Sequence, residues 1–195
     1  MNKQISLGQY RAIDLTILGL VLIVTQVLTA VAATLWFRDQ LYIVSPVAAV
    51  VALVMMRWGP WSAIHAVLGG VAFTLASNGT AQHVLIYCLG NLLSLLSLLI
   101  LKAAGKETIR QSGFLSLLFA FAVQLLMLLG RAGMAALLGN SFRECLGFIA
   151  TDFLSVLFTL VVIWIARKAD GLFEDQKHYL LRVQRERENE RRDQF

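Results

Sequence analysis

The chain has 195 residues, 58% of them hydrophobic and 15% charged, with a formal charge of +5 and a mean hydropathy of +0.71. Soluble domains average about 45–50% apolar and about 25% charged residues. The composition therefore excludes an ordinary water-soluble domain and predicts a single integral membrane domain.

In chain order, a polar opening, MNKQISLGQYRAID, precedes the first apolar run. That run is about 23 residues long, beyond a signal core, so no cleavable signal is expected. Since about 20 apolar residues cross a bilayer, the expected spans are 15–37, 41–56, 62–76, 83–101, 113–138 and 146–166. The second and third are short. RWGPW at 57–61 separates them, and Gly59-Pro60 breaks a helix, so the segment predicts a tight cytoplasmic hairpin. After Ala166 the composition changes. Residues 167–195 are charged and predict a cytoplasmic helical tail, with Leu172, Gln176, Tyr179, Leu180 and Val183 along one face. That tail is either a solvated helix beside anionic lipid or a docking segment for a partner.

Orientation follows from Lys and Arg. With both termini cytoplasmic, the inside holds Lys3, Arg11, Arg57, Lys102, Lys106, Arg110 and the basic residues of the tail, 14 of the 17. Arg38 and Arg143 lie outside, and Arg131 within a span. The expected fold is an all-α integral membrane protein, a six-helix bundle with both termini in the cytoplasm.

Two charges fall inside spans. Arg131 is about 10 Å below the outer end of the fifth span and Asp152 about 9 Å below that of the sixth, at 1.5 Å per residue. They sit at one depth on antiparallel neighbours and can meet. Tyr87, Asn91 and Trp36 fall in the same outer half, and Gln26 near the midplane. Ionisable groups within a membrane are functional candidates. A matched pair also serves as a helix clasp, so ligand site and structural pair both stand as readings. Asn91 and Gln26 also suit helix-to-helix bonding. His65 reads as a packing residue, and Asp14 as a carboxylate at a helix N-terminus. Cys88 and Cys145 read as packing residues. Small residues at fourth positions, Ser62/Ala66/Gly70, Ala48/Ala52, Thr25/Thr29/Ala33 and Ala132/Ala136, predict close helix contacts.

Enzyme signatures are missing: no H-E-x-x-H, no G-x-S-x-G and no glycine-rich phosphate loop. No catalytic residue, metal, cofactor or nucleic-acid partner is expected.

Residues 42–76, YIVSPVAAVVALVMMRWGPWSAIHAVLGGVAFTLA, resemble the second and third helices of substrate-binding S components of energy-coupling factor (ECF) transporters. The likeness lies in the Ser-Pro, the Arg/aromatic-Gly-Pro turn and the Gly-rich third helix. It implies a bacterial cell-membrane subunit, not an enzyme, that captures a vitamin or related micronutrient at the outer face. It also implies partners, a transmembrane T component and ATPase subunits. On that resemblance Arg131 attracts an acidic group or orients a polar ring. Asp152 holds Arg131 or binds a donor. Asn91, Tyr87 and Trp36 supply hydrogen bonds and stacking. The first helix departs from the family's A-x-x-x-A stripe, offering Ala30 and Ala33. The competing expectation is a membrane sensor or scaffold signalling through the C-terminal helix.

Overall fold

The structure, a computed structural model, describes residues 6–36 and 44–192. They form ten α-helices with two 3-10 turns and no strand. Five helical segments are long and apolar enough to cross a membrane: Leu7–Ala33, Val47–Ala76, Ala81–Ala104, Gly113–Leu137 and Phe142–Lys168.

Helix α1 (Leu7–Trp36) begins eight residues before the expected start of the first span. Ser6 and Gln9 explain the shift. The Gln9 N–H donates to Ser6 Oγ and the Ser6 N–H to Gln9 Oε1, a reciprocal cap on the first turn. Asp14 is therefore not at a helix N-terminus as the sequence suggested. It lies a second turn inside, and its charge needs a partner there. Arg38, Asp39 and Gln40 lie outside the described residues.

Pro46 precedes α2 (Val47–Trp58), and Gly59, with φ +61°, ends it. A 3-10 turn, Gly59–Trp61, leads into α3 (Ser62–Ala76). The chain folds back here, because a Cβ on Gly69 would come within 2.7 Å of both Val47 methyls. In an unbroken helix those two residues would stand about 33 Å apart. The sequence-derived hairpin is thus present. By length and composition, however, its two arms make one crossing segment. Alone, the 12 residues of α2 span about 18 Å. Every residue from Val47 to Arg57 is buried. That suits a helix apolar all round, enclosed by α1, α3, α7 (Gly113–Leu137) and α9 (Phe153–Lys168).

Helix α4 (Ala81–Leu92) is capped by Thr80, passes through a 3-10 stretch at Leu93–Ser97 and continues as α5 (Leu98–Ala104). The short α6 (Lys106–Gln111) precedes α7, whose first turn is capped by Ser112. Where one continuous helix was expected at 146–166, there are two: α8 (Phe142–Ala150), opened by a Ser141–Glu144 capping box, and α9. The break falls at Thr151–Asp152.

Glycine sets the closest crossings. A Cβ on Gly70 would meet Cys88 N at 2.9 Å, and one on Gly90 would meet Arg131 N at 2.7 Å. Helices α3, α4 and α7 therefore approach backbone to backbone. Of the expected stripe on α3, Gly70 packs in this way. The stripe on α7 does not: Ala136 is exposed, and Gly130 makes the contact.

The tail is not a free helix. After Lys168 the chain turns at Gly171, with φ +69°, and α10 (Gln176–Arg192) follows. Phe173 is 1% exposed, and Glu174 and Gln176 are also buried. The expected face is partly present. Gln176 is buried and Tyr179, Leu180 and Val183 are half-buried, but Leu172 lies in the turn before the helix.

Candidate functional site

The Gly90–Gly130 crossing places the next residue of each helix side by side. Arg131 Nε donates to Asn91 Oδ1 at 2.7 Å, and Asn91 Nδ2 donates to the Ala66 carbonyl on α3 at 2.9 Å. The break between α8 and α9 turns Asp152 inward, where Arg131 Nη1 meets Asp152 Oδ2 at 2.5 Å. Ser155 Oγ donates to Asp152 Oδ1. Arg131 is 4% and Asp152 5% exposed. The Tyr87 ring lies 4.9 Å beneath the guanidinium and packs on Phe73 and Phe148, with centroids 4.6 and 5.7 Å away.

Polar contacts run on toward α1. The Ser45 N–H donates to Ser155 Oγ at 2.8 Å, and Ser45 Oγ donates to Gln26 Oε1 at 3.1 Å. Gln26 is fully buried, and its Nε2 has no hydrogen-bond partner among the described residues. Residues 44–46 are not helical. Irregular backbone at membrane depth is tolerated where protein encloses it or where it lines a cavity, and Ser45 does line one. That cleft has a cavity volume of about 20 Å³ and is bounded by Ser45, Phe73, Tyr87, Arg131, Phe148 and Asp152 among others. It has room for a water molecule.

Four of the five sequence-derived site residues therefore meet: Arg131, Asp152, Asn91 and Tyr87. Trp36 closes α1, and its side chain lies outside the described residues. Among the described residues no group of His, Cys, Asp and Glu is placed to hold a metal ion. Cys88 and Cys145 are free and buried. His65 is buried, with Nε2 3.0 Å from the Leu15 carbonyl.

A second charged cluster, at the other end of the bundle, was not foreseen. Arg57 grips Asp14 with two nitrogens, Nε to Oδ2 at 2.9 Å and Nη2 to Oδ1 at 2.7 Å. Its Nη1 donates to the Gly171 and Leu172 carbonyls at 2.6 and 3.1 Å. Trp58 Nε1 donates to Asp14 at 2.5 Å, and Tyr10 Oη donates to Gln176 at 3.2 Å. Lys106 pairs with Asp175 at 2.6 Å, and Arg110 and Arg182 with Glu174 at 3.3 and 3.1 Å. Burial resists ionisation of Asp175. The hydrogen bond and charge of Lys106, with the His178 N–H, outweigh that resistance and hold its carboxyl below the ordinary value. The Arg110 hydrogen bond lowers the Glu107 carboxyl in the same direction. The signal for this cluster was present in the sequence: an acid at 14 and a base at 57, each at the same end of its span. Arg57 reads as a loop charge there only because its burial is invisible.

The described residues form an all-helical fold compatible with a multi-pass membrane protein, with an ion-paired polar centre among its apolar helices and a further charged cluster at one end. Compared with known proteins, the chain matches no family model, no curated protein and no solved structure.

Proposed function

We propose that the chain is the membrane-embedded substrate-binding subunit of an uptake transporter of the ECF type. It captures a small polar molecule and works with a T component and ATPase subunits. The observation that carries the reading is the buried Arg131–Asp152 pair, held by Asn91 and Tyr87, on the wall of a cleft between α3, α4, α7 and α8. The cleft beside the pair supports a binding role. Broken helices at depth, which turn backbone and side chains toward a cavity, are a recurrent feature of transporter binding sites.

In this reading the protein is not an enzyme and spans the cell membrane six times. The two arms of the Val47–Ala76 hairpin are short passes, kept at depth by the helices around α2. Both termini are cytoplasmic. Support comes from the grouping of Arg57, Lys106 and Arg110 with the segment 171–176 at a single end of the bundle, together with the Lys/Arg bias of the sequence.

A second reading, a sensor or scaffold acting through α10, draws support from the attachment of the tail to Arg57, Lys106 and Arg110. Native mass spectrometry of protein gently extracted from host membranes separates the two. A small molecule retained by the wild type and lost in a folded Arg131→Ala variant, with a T component and ATPases co-purifying, supports the transporter. A ligand-free protein carrying a partner that is released by truncation after residue 168 supports the sensor and overturns the first reading.

A further inference from the structure

We infer that the ligand of the Arg131–Asp152 cleft is electrically neutral and presents a carbonyl next to an N–H, as the edge of an amide or lactam does. The inference rests on the binding-subunit reading above and names its substrate class.

Charge comes first. Arg131 and Asp152 are both buried and cancel one another. Among the described residues the other groups lining the cleft, Ser45, Val47, Gly69, Phe73, Tyr87, Phe148 and Thr151, carry no charge at neutral pH. A carboxylate or phosphate entering here would add an uncompensated charge in a medium of low dielectric, or would have to displace Asp152 from its arginine. Both are unfavourable. A neutral ligand meets neither obstacle.

Hydrogen-bond capacity then fixes the polar edge. A guanidinium carries five N–H donors and no acceptor. Arg131 commits Nε to Asn91 and Nη1 to Asp152, while Nη2 has no partner among the described residues. Nη2 is left to donate to an acceptor on the ligand. Among the described residues Asp152 takes one bond on each oxygen, and a carboxylate has about four lone-pair sites. It can still receive an N–H. The two open positions belong to partners already in contact, so the matching ligand carries its acceptor and its donor side by side. The rings of Phe73, Tyr87 and Phe148 provide flat walls, which suit a planar body.

The route we assign to the ligand runs past α8. The cleft has a volume of about 20 Å³, too small for a ring as it stands, and Phe148 of α8 is one of its walls. This helix has nine residues and packs chiefly on α7. It lies between Gly139, with φ +83°, and the non-helical Thr151–Asp152. Displacing it would move Phe148 off Tyr87 and leave in place the Arg131–Asn91 bond, which belongs to α4 and α7.

The test uses nicotinamide and nicotinate, two flat rings of nearly equal size that differ in carrying a neutral amide or a carboxylate. Binding to the wild-type protein in lipid nanodiscs is measured by titration calorimetry. Nicotinamide is expected to bind about tenfold more tightly than nicotinate. In Asp152→Asn, where the arginine charge is no longer cancelled, the order is expected to reverse. Nicotinate binding the wild type as tightly as nicotinamide, or neither compound binding, overturns the inference. If Asp152→Asn loses cooperative thermal unfolding, the wild-type comparison decides alone. The ligand retained from host membranes tells the two proposals apart. An acidic molecule lost in Arg131→Ala overturns this inference and leaves the binding-subunit reading standing. The absence of any host ligand, together with failure of both probes, overturns both.

Discussion

Arg57 and Gly171 are 114 residues apart in the chain, and the guanidinium of the first holds the carbonyl oxygen of the second at 2.6 Å. The same side chain grips Asp14 through its other two nitrogens. One buried arginine thus joins α1, α2 and the segment that leads to α10.

Arg57→Ala removes every one of these bonds and leaves the Asp14 carboxylate largely enclosed beside Trp58. Breaking a buried pair from one side costs about 3–5 kcal/mol. The variant is expected to unfold at a lower temperature, and its tail to be cut by trypsin at Lys177 and Arg182 under conditions that spare the wild type. A wild-type rate of tail cleavage would show that Phe173 and Lys106 hold the segment without Arg57.

Acid should loosen the same segment. The Asp175 carboxyl is lowered in the folded protein by Lys106 and the His178 N–H, against the effect of burial. A group lowered on folding contributes stability that is complete above its unfolded pKa and is lost as pH falls through the folded one. Attachment is therefore expected to be constant near neutrality and to weaken below the ordinary carboxylate range, about pH 4. A spin label at exposed position 181, in a cysteine-free background, reads this as rising mobility. Asp175→Asn should flatten the profile.

Two glycines on one helix give opposite expectations. A Cβ at Gly130 would overlap the Gly90 carbonyl, whereas one at Gly133 would meet nothing within 4 Å. Gly130→Ala is expected to destabilise by about 1–3 kcal/mol, as overpacking does. Gly133→Ala is expected to be neutral or stabilising by up to about 1 kcal/mol, from helix propensity. Thermal unfolding of the pair in one detergent checks both.

For the central ion pair, Arg131→Met and Asp152→Leu are each expected to cost about 3–5 kcal/mol, and the double variant much less. The double variant should fold but hold no ligand. Ligand retention by a folded double variant would leave the pair as a clasp only.

The sequence makes parts of this picture readable because their cause is local. Gly-Pro at 59–60 turns the chain whatever surrounds it. Arg131 and Asp152 come to equal depth by counting residues from one short loop, and so does their meeting. The break at Asp152 is different. The stretch GFIATDFLSV has no proline and reads as continuous helix. It bends because the carboxylate is taken by Arg131 from α7 and by Ser155, and the first of those partners is 21 residues away. The lodging of the tail was hidden for the same reason. Phe173 and Glu174 sit in a run that looks solvent-loving, and their burial depends on Arg57, Lys106 and Arg110, which the chain supplies from elsewhere. The start of α1 was legible in principle, since S-x-x-Q at 6–9 is a capping box, but the hydropathy of the following residues draws the boundary too late.

The grip of Arg57 has a mechanical side. A pull on α10 does not load α9 alone, although α9 is its covalent neighbour. Part of the force passes through Gly171 and Leu172 to Arg57, and from there to Asp14 and to the wholly enclosed α2. The tail is rigged through Arg57 to the enclosed α2, and a tug on it is felt by the helix least free to slide.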